Sequence, residues 1–223
     1  MPPARPPRIF FSDFDGTMTD VDFYELVLNE MRPELPGDPL GEFRRGDLAL
    51  FEALRRIFAA IPLDEDAVLA MLGKLKPDPL LAEDAARLVA AGWDLHVVSA
   101  GSAWYIDHLF RKLGVDVPIT VHANPGRFLP GKGLVMERPD DPRIAREAIG
   151  IDKAEVVRIH SAGARAVAFA GNSPPDLAAA RLVPDRLRFA RGSLRSELDR
   201  LDLAYRPFDR WHEVVEALLG ESE

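Results

Sequence analysis

Three observations predict a parallel, doubly wound α/β sheet of Rossmann-like type, interrupted by an inserted helical cap. After residue 79 short apolar runs alternate with helical patterns, which is how a parallel sheet acquires helices on both faces. Between the first apolar run and the second, residues 21–78 show helical spacing and no strand. The residues that follow the runs are Asp, Ser, Gly and Asn, at the strand ends where open α/β sheets bind their ligands.

The elements follow in order. The first six residues read as a flexible, proline-rich lead-in, and the first strand is Arg8-Ile-Phe-Phe-Ser12. In the insert, Leu50, Leu54, Ile57 and Ile61 recur at helical spacing, as do Val68, Leu69, Leu72 and Leu75, while the Pro- and Gly-bearing stretch 32–39 is a loop. The core is thus expected over 1–20 and 79–223, with the cap over 21–78, and Pro79 suits the first turn of the next helix. That helix, through Leu81, Ala85 and Leu88, stops at Gly92 and leads into a strand over 93–98. Ser102 caps a helix carrying Tyr105, Ile106, Leu109, Phe110 and Leu113, which ends at Gly114. The strand expected over 117–121 contains Pro118 and so belongs at a sheet edge. A hairpin over 126–139, a helix from Lys153, a strand over 166–170, a helix opened by Pro174-Pro175, a strand over 186–190 and two short helices complete the chain.

Composition narrows the class. With 47% apolar and 29% charged residues the 223-residue chain resembles an ordinary globular protein, and no apolar run approaches a membrane span. The start lacks the apolar segment of a secretion signal, so a cytoplasmic location is expected. A formal charge of −8, with no opposing Lys/Arg block, argues against nucleic acid or an anionic membrane as partner. Without cysteine there is no disulfide, no thiolate chemistry and no cysteine-based zinc site. A monomer or homodimer acting on a small molecule is the expectation.

The chemistry sits at the strand ends. Asp13 and Asp15 share one face of an extended chain while Phe14 points away, and Gly16 allows a sharp turn whose amides can hold an anion. Paired carboxylates can divide phosphoryl transfer, one attacking phosphorus and the other carrying the proton. Ser99-Ala100-Gly101 follows the second core strand, and Gly171-Asn172-Ser173-Pro-Pro-Asp176 follows the strand over 166–170. Oxygen ligands, with no Cys and few His nearby, suit Mg2+ better than zinc. Among the histidines, His96 and His160 read as packing residues, and His122, ending its strand, is the one placed near the cleft.

These motifs resemble the haloacid dehalogenase superfamily of phosphatases over nearly the whole chain. The resemblance implies Asp13 as nucleophile and metal ligand, Asp15 as general acid and base, and Ser99 as a contact for the phosphoryl oxygens. It calls for a lysine between Ser99 and Gly171. Of the five lysines Lys153 fits best, at a helix start, with Lys132 in reserve. The expected substrate-binding set is Ser99, Ala100, Gly101, Thr17 and Asp22, and the expected metal ligands are Asp13, Asp15, Asn172 and Asp176. The family usually has Asp where this chain has Asn172, which removes a negative charge and should weaken the magnesium site. The small helical insertion is similar to that of the subclass containing phosphoserine phosphatase and a methionine-salvage phosphatase, whose substrates are small phosphorylated metabolites. Phe23, Tyr24, Phe51 and Arg55 are its candidate pocket residues, although the helical spacing of Phe51 favours a core position. A phosphotransferase or mutase would share the nucleophile, and Asn172 leaves room for a phosphate-binding protein with weakened catalysis.

Overall fold

The computed structural model describes residues 6–220, so most of the proline-rich lead-in lies outside the described residues. Strand β1 (Arg8–Ser12) is followed by the helical insert: α1 (Phe23–Leu26), continued by a wider turn to Met31, then α2 (Pro39–Arg45), α3 (Leu50–Ala59) and α4 (Glu65–Met71). Asp38 and Asp64 cap α2 and α4, accepting from Gly41 N and Ala67 N at 2.9 Å each. The chain leaves and re-enters the core through a narrow ribbon, in which Thr19 pairs antiparallel with Pro77. Asp20 N donates to Lys76 O and Val21 N to Leu75 O, both at 3.1 Å, which closes the ribbon.

The remainder alternates as predicted: α5 (Leu81–Ala90), β2 (Trp93–Ser102), α6 (Ala103–Leu113), β3 (Ile119–Asn124), the hairpin β4 (Gly126–Leu129) and β5 (Gly133–Met136), and a two-residue hairpin β6 (Ala145–Arg146) and β7 (Gly150–Ile151). There follow α7 (Lys153–His160), β8 (Ala166–Gly171), a 3-10 turn into α8 (Leu177–Ala180), β9 (Arg188–Ala190), α9 (Gly192–Arg200), β10 (Arg206–Pro207) and α10 (Trp211–Gly220). Six strands form one parallel sheet in the order β10-β9-β8-β1-β2-β3. The chain runs outward from β1 on one side and returns to start β8 on the other, so the strand order reverses between β1 and β8. Ser12, the last residue of β1, lies opposite both Val97 and Ala170, and β2 runs on past this level to Ser102.

Apolar burial is two-sided. Phe10, Leu95, Val97 and Ala168 face α5, α6 and α10, and the insert contributes Phe23, Leu54, Ile57 and Phe58 to that same cluster. Ile9, Phe11 and Phe169 face α7, α8 and α9. The insert therefore buries its apolar stripe against the core domain rather than within a core of its own.

Several boundaries differ from expectation for local reasons. Leu81 rather than Pro79 opens α5, because the Asp78 carboxylate accepts from Leu80 N at 3.0 Å and holds the preceding turn. Pro118 precedes β3 instead of lying in it, since it has no N–H to give the ladder. That strand is indeed the sheet edge. Strand β9 begins at Arg188, as residues 185–187 make a 3-10 turn. The pairs β6–β7 and β9–β10 are too short to leave a periodic signal.

Candidate active site

The site is assembled at the carboxyl ends of β1 and β8 and alongside the last residues of β2. Asp13 N donates to Ala170 O at 2.9 Å, which locks the first carboxylate-bearing residue to the neighbouring strand. Gly16 then turns with φ +69°, and a Cβ there would lie 1.9 Å from Asn172 Nδ2, so only glycine lets the first loop meet the third. Strand β2 continues to Ser102, but its pairing with β3 shifts between Val98 and Ser102. That bulge sets Ser99, Ala100 and Gly101 along the cavity, and a Cβ on Gly101 would lie 1.6 Å from the Tyr105 hydroxyl.

Lys153 ties the loops together. As the first residue of α7, 5% exposed, it donates to Asp13 Oδ1 at 2.6 Å and to Asp176 Oδ1 at 2.7 Å. Asp176 is wholly buried, and its other oxygen accepts from Asn172 N and Ser173 N at 3.0 Å each and from Ser173 Oγ at 3.2 Å. With both oxygens engaged, Asp176 positions the ammonium and the Asn172 loop. Lys132 sits in the β4–β5 turn, exposed. Thr17 is buried behind Asp13, donating to its Oδ2 at 3.3 Å, and so supports the carboxylate rather than lining the substrate cavity.

Asp15 is held from three sides: the Tyr105 hydroxyl donates at 2.5 Å, Phe23 N at 2.9 Å and Ser99 Oγ at 3.4 Å. Gly101 N donates in turn to Ser99 Oγ at 3.0 Å. Burial pushes the Asp15 carboxyl up to about 6, although the bonds from Tyr105 and Phe23 N oppose the rise. Burial, then Asp176, raise the Asp13 carboxyl against the opposing pull of Lys153. Burial alone would lower the Lys153 ammonium, but Asp13 and Asp176 overcome it and hold the group well above its ordinary range. Asp22, half-buried at the cavity wall, is pushed up to about 7 by burial and by Asp15. One buried ammonium among these carboxylates leaves a surplus of negative charge, which a divalent cation would relieve.

The donor set fits a hard cation. Asn172 Oδ1 is buried with no hydrogen-bond partner, close to the Asp13–Gly16 loop. Together with the Asp13 carboxylate it makes an oxygen-only group, as magnesium requires. No thiol or imidazole lines this cavity.

Above these groups lies a cavity of 390 Å³ between core and insert. Its floor is Asp13, Asp15, Ser99 to Gly101 and Lys153, and its wall is Phe23, Tyr24, Phe43, Arg44, Leu50, Leu54 and Phe58. Of the expected pocket residues, Phe23 and Tyr24 face it. Phe51 is core, and Arg55 instead pairs with Glu52 at 2.7 Å. Sequence reasoning did not find Phe43 and Arg44. A larger cleft of 770 Å³, between residues 59–66 and the hairpin tip at 128–131, contains none of the phosphoryl-site groups. His122 is not at the cleft as expected but beside His96, with Nε2 2.9 Å from His96 Nδ1.

The model of haloacid dehalogenase-like hydrolases matches residues 10–181, spanning β1, the insert, Lys153 and the Asn172 loop. The chain belongs to the haloacid dehalogenase-like hydrolases. Within this family it is an enzyme of the phosphatase type. It is 29% identical over 213 residues to a 2-hydroxy-3-keto-5-methylthiopentenyl-1-phosphate phosphatase of Microcystis aeruginosa (strain NIES-843 / IAM M-2473), covering 95% of this chain and 98% of that one. A protein of the same name from Brevibacillus brevis is 22% identical over 214 residues, covering 94% of each. Among solved structures, a phosphoserine phosphatase captured as a phospho-aspartyl intermediate analogue has a TM-score of 0.66 at 17% identity, covering 95% of this chain and 98% of that one. The phosphoserine phosphatase of T. onnurineus has a TM-score of 0.65 at 18% identity, covering 99% and 98%. At these identities the structures speak for a haloacid dehalogenase fold. Among the described residues, no helix is long and apolar enough to cross a membrane.

Proposed function

We propose that this haloacid dehalogenase phosphatase hydrolyses 2-hydroxy-3-keto-5-methylthiopentenyl-1-phosphate through an aspartyl-phosphate intermediate. The observation that carries the substrate is the cavity wall: Phe23, Phe43, Leu50, Leu54 and Phe58 offer an apolar surface above a charged floor. A methylthio tail gains by leaving water for such a wall, whereas an amino acid's ammonium and carboxylate would lose solvation there. The names of the curated relatives point the same way.

In the proposed reaction the phosphate enters with its oxygens toward Ser99 Oγ and the amides of the 99–101 bulge, and Lys153 balances part of their charge. Asp13, 4% exposed and held between Lys153 and Thr17, is fixed for in-line attack on phosphorus. The bond from phosphorus to the leaving oxygen breaks, and Asp15 gives that oxygen a proton. A carboxyl raised to about 6 retains part of its protonated form near neutrality. Asp15 then takes a proton from water as the water attacks the aspartyl phosphate, which releases phosphate and restores Asp13. Magnesium, held by Asp13 and Asn172, would neutralise phosphoryl charge.

Phosphoserine is the second reading, because Asp22 and Arg44 place opposite charges on the same wall. They could pair with an ammonium and a carboxylate. Against this, the Asp22 carboxyl is pushed up to about 7 and already accepts from the Tyr24 hydroxyl, which weakens it as an anchor for ammonium. Phosphate release from both compounds in Mg2+, with Asp13→Asn as the blank, decides between them. The keto-enol phosphate should show the higher kcat/KM. A preference for phosphoserine would overturn the assignment, and release by Asp13→Asn equal to wild type would overturn the mechanism.

A further inference from the structure

Outside the phosphoryl site three of the five histidines meet. His96 stands on β2, His122 on the edge strand β3 and His160 at the last position of α7, and a ring nitrogen from each lies within 4.8 Å of the other two. The ring centroids are 4.6 to 5.3 Å apart. They converge by topology, since 26 residues separate the first two and another 38 the third. We propose that His96, His122 and His160 bind one divalent transition-metal ion of the zinc, nickel or copper class, apart from the phosphoryl site.

The spacing is nearly that of a formed site. Two imidazole nitrogens on a tetrahedral zinc at ~2.05 Å stand about 3.3 Å apart. The His96 Nδ1 to His122 Nε2 separation is 2.9 Å, so this pair needs only a slight opening and a shift of its shared proton to a far ring nitrogen. His160 is exposed at a helix end, where its ring can move the remaining ångström or so and where an ion arrives from solvent. Burial and the neighbouring imidazoles lower His96 to about 4 and His122 to about 3, so both rings are neutral and keep a lone pair at physiological pH. Asp94 and Asp141 act electrostatically on His96 and His160, a setting that favours an added cation. All-imidazole ligation selects the borderline transition metals over magnesium. The group Asp84, His212 and Glu216 has comparable spacing, but Arg87 already pairs with Asp84 at 2.9 Å and with Glu216 at 2.6 Å.

A metal here would pin α7 to the sheet edge at the helix end opposite Lys153, roughly two helical turns away. The test uses the full chain, stripped with chelator and kept in excess Mg2+. Co2+ binding is followed by its visible d–d bands and Zn2+ binding by calorimetry, in wild type, His160→Gln, His122→Gln, His212→Gln and Asp13→Asn. The expected result is one equivalent bound at micromolar concentration by wild type, His212→Gln and Asp13→Asn. In His160→Gln and His122→Gln that affinity should fall at least tenfold, and Zn2+ should raise the melting temperature of wild type but not of His160→Gln. Because His160 is exposed, its variant is expected to fold even if His122→Gln does not. Equal Co2+ affinity in wild type and His160→Gln, or no cobalt bands in wild type at millimolar metal, would overturn the proposal.

Discussion

The floor and the wall of the active-site cavity are built by opposite means. On the floor, Asp13, Lys153 and Asp176 form a buried chain of ion pairs at 2.6 and 2.7 Å, and Asp176 takes three further bonds from the Asn172 loop. The wall is a set of helical apolar side chains, with Phe43 and Leu50 half-buried and Leu54 and Phe58 shared with the core. Directional bonds fix the floor to strand ends, whereas the wall is held by packing and by the ribbon at Thr19 and Pro77. Packing of this kind tolerates exchange of one apolar side chain for another, so the wall can change its ligand while the floor keeps its chemistry.

The sharpest way to break the contrast is Lys153→Met, which conserves length and removes the charge. On the floor it should lower kcat by about 10² to 10³ and destabilise the fold by ~3–5 kcal/mol, because two buried carboxylates lose their common partner. Phosphate release and urea unfolding measure the two effects. A variant that kept both rate and stability would mean that the floor is as tolerant as the wall.

On the wall, Leu50→Asn should be milder and selective. Leu50 opens α3 and is half-buried, so the substitution leaves the helix intact. The kcat/KM for the methylthio substrate should fall about tenfold through lost apolar contact, with kcat for an aryl phosphate unchanged. Equal losses on both substrates would place Leu50 with the floor.

A third substitution, Asn172→Asp, tests the floor's departure from its family. The amide oxygen is buried and without a partner, so a carboxylate there should tighten magnesium about tenfold, near 1.4 kcal/mol, and should destabilise the metal-free chain. Melting with and without Mg2+ should then show a larger metal-induced rise than in wild type. An equal or smaller rise would move the metal away from Asn172.

The same division explains what could be read from the sequence. Asp13, Asp15, Ser99 and the Asn172 loop follow apolar runs directly, so a strand-by-strand reading places them at one sheet end. Lys153 lies 140 residues from Asp13, and only family order pointed to it. That Asp176 would spend both oxygens on Lys153 and the loop amides depends on a tertiary approach that spacing does not encode. The wall was harder still. Helical periodicity marks Tyr105 as an apolar stripe residue, which it is, and says nothing of its hydroxyl on Asp15. Phe43 and Arg44 face the cavity because of where α2 docks, and a seven-residue helix carries too little pattern to show that. The three histidines come together for the same reason, through strand order and not sequence neighbourhood.

The smallest expected effect tests whether the wall carries any hidden charge pairing. Burial and Asp15 push the Asp22 carboxyl up from 3.8 to about 7, so the folded chain holds a proton there that the unfolded chain has released. The stability this contributes is complete below pH 3.8 and is lost as pH rises through 7. A side-chain amide has no such proton to lose and can still accept from the Tyr24 hydroxyl, so Asp22→Asn should match wild type at pH 4 and exceed it at pH 8. The whole shift would correspond to about 4 kcal/mol, and screening at a half-buried position reduces the expected gain to ~1 kcal/mol. Urea unfolding at the two pH values measures it. If the variant were instead the less stable at pH 8, ionised Asp22 would have to be held by a cation, and Arg44 on the same wall is the candidate. That pairing would keep the wall's charges fixed and available to a zwitterionic ligand, and would turn the comparison of floor and wall toward phosphoserine.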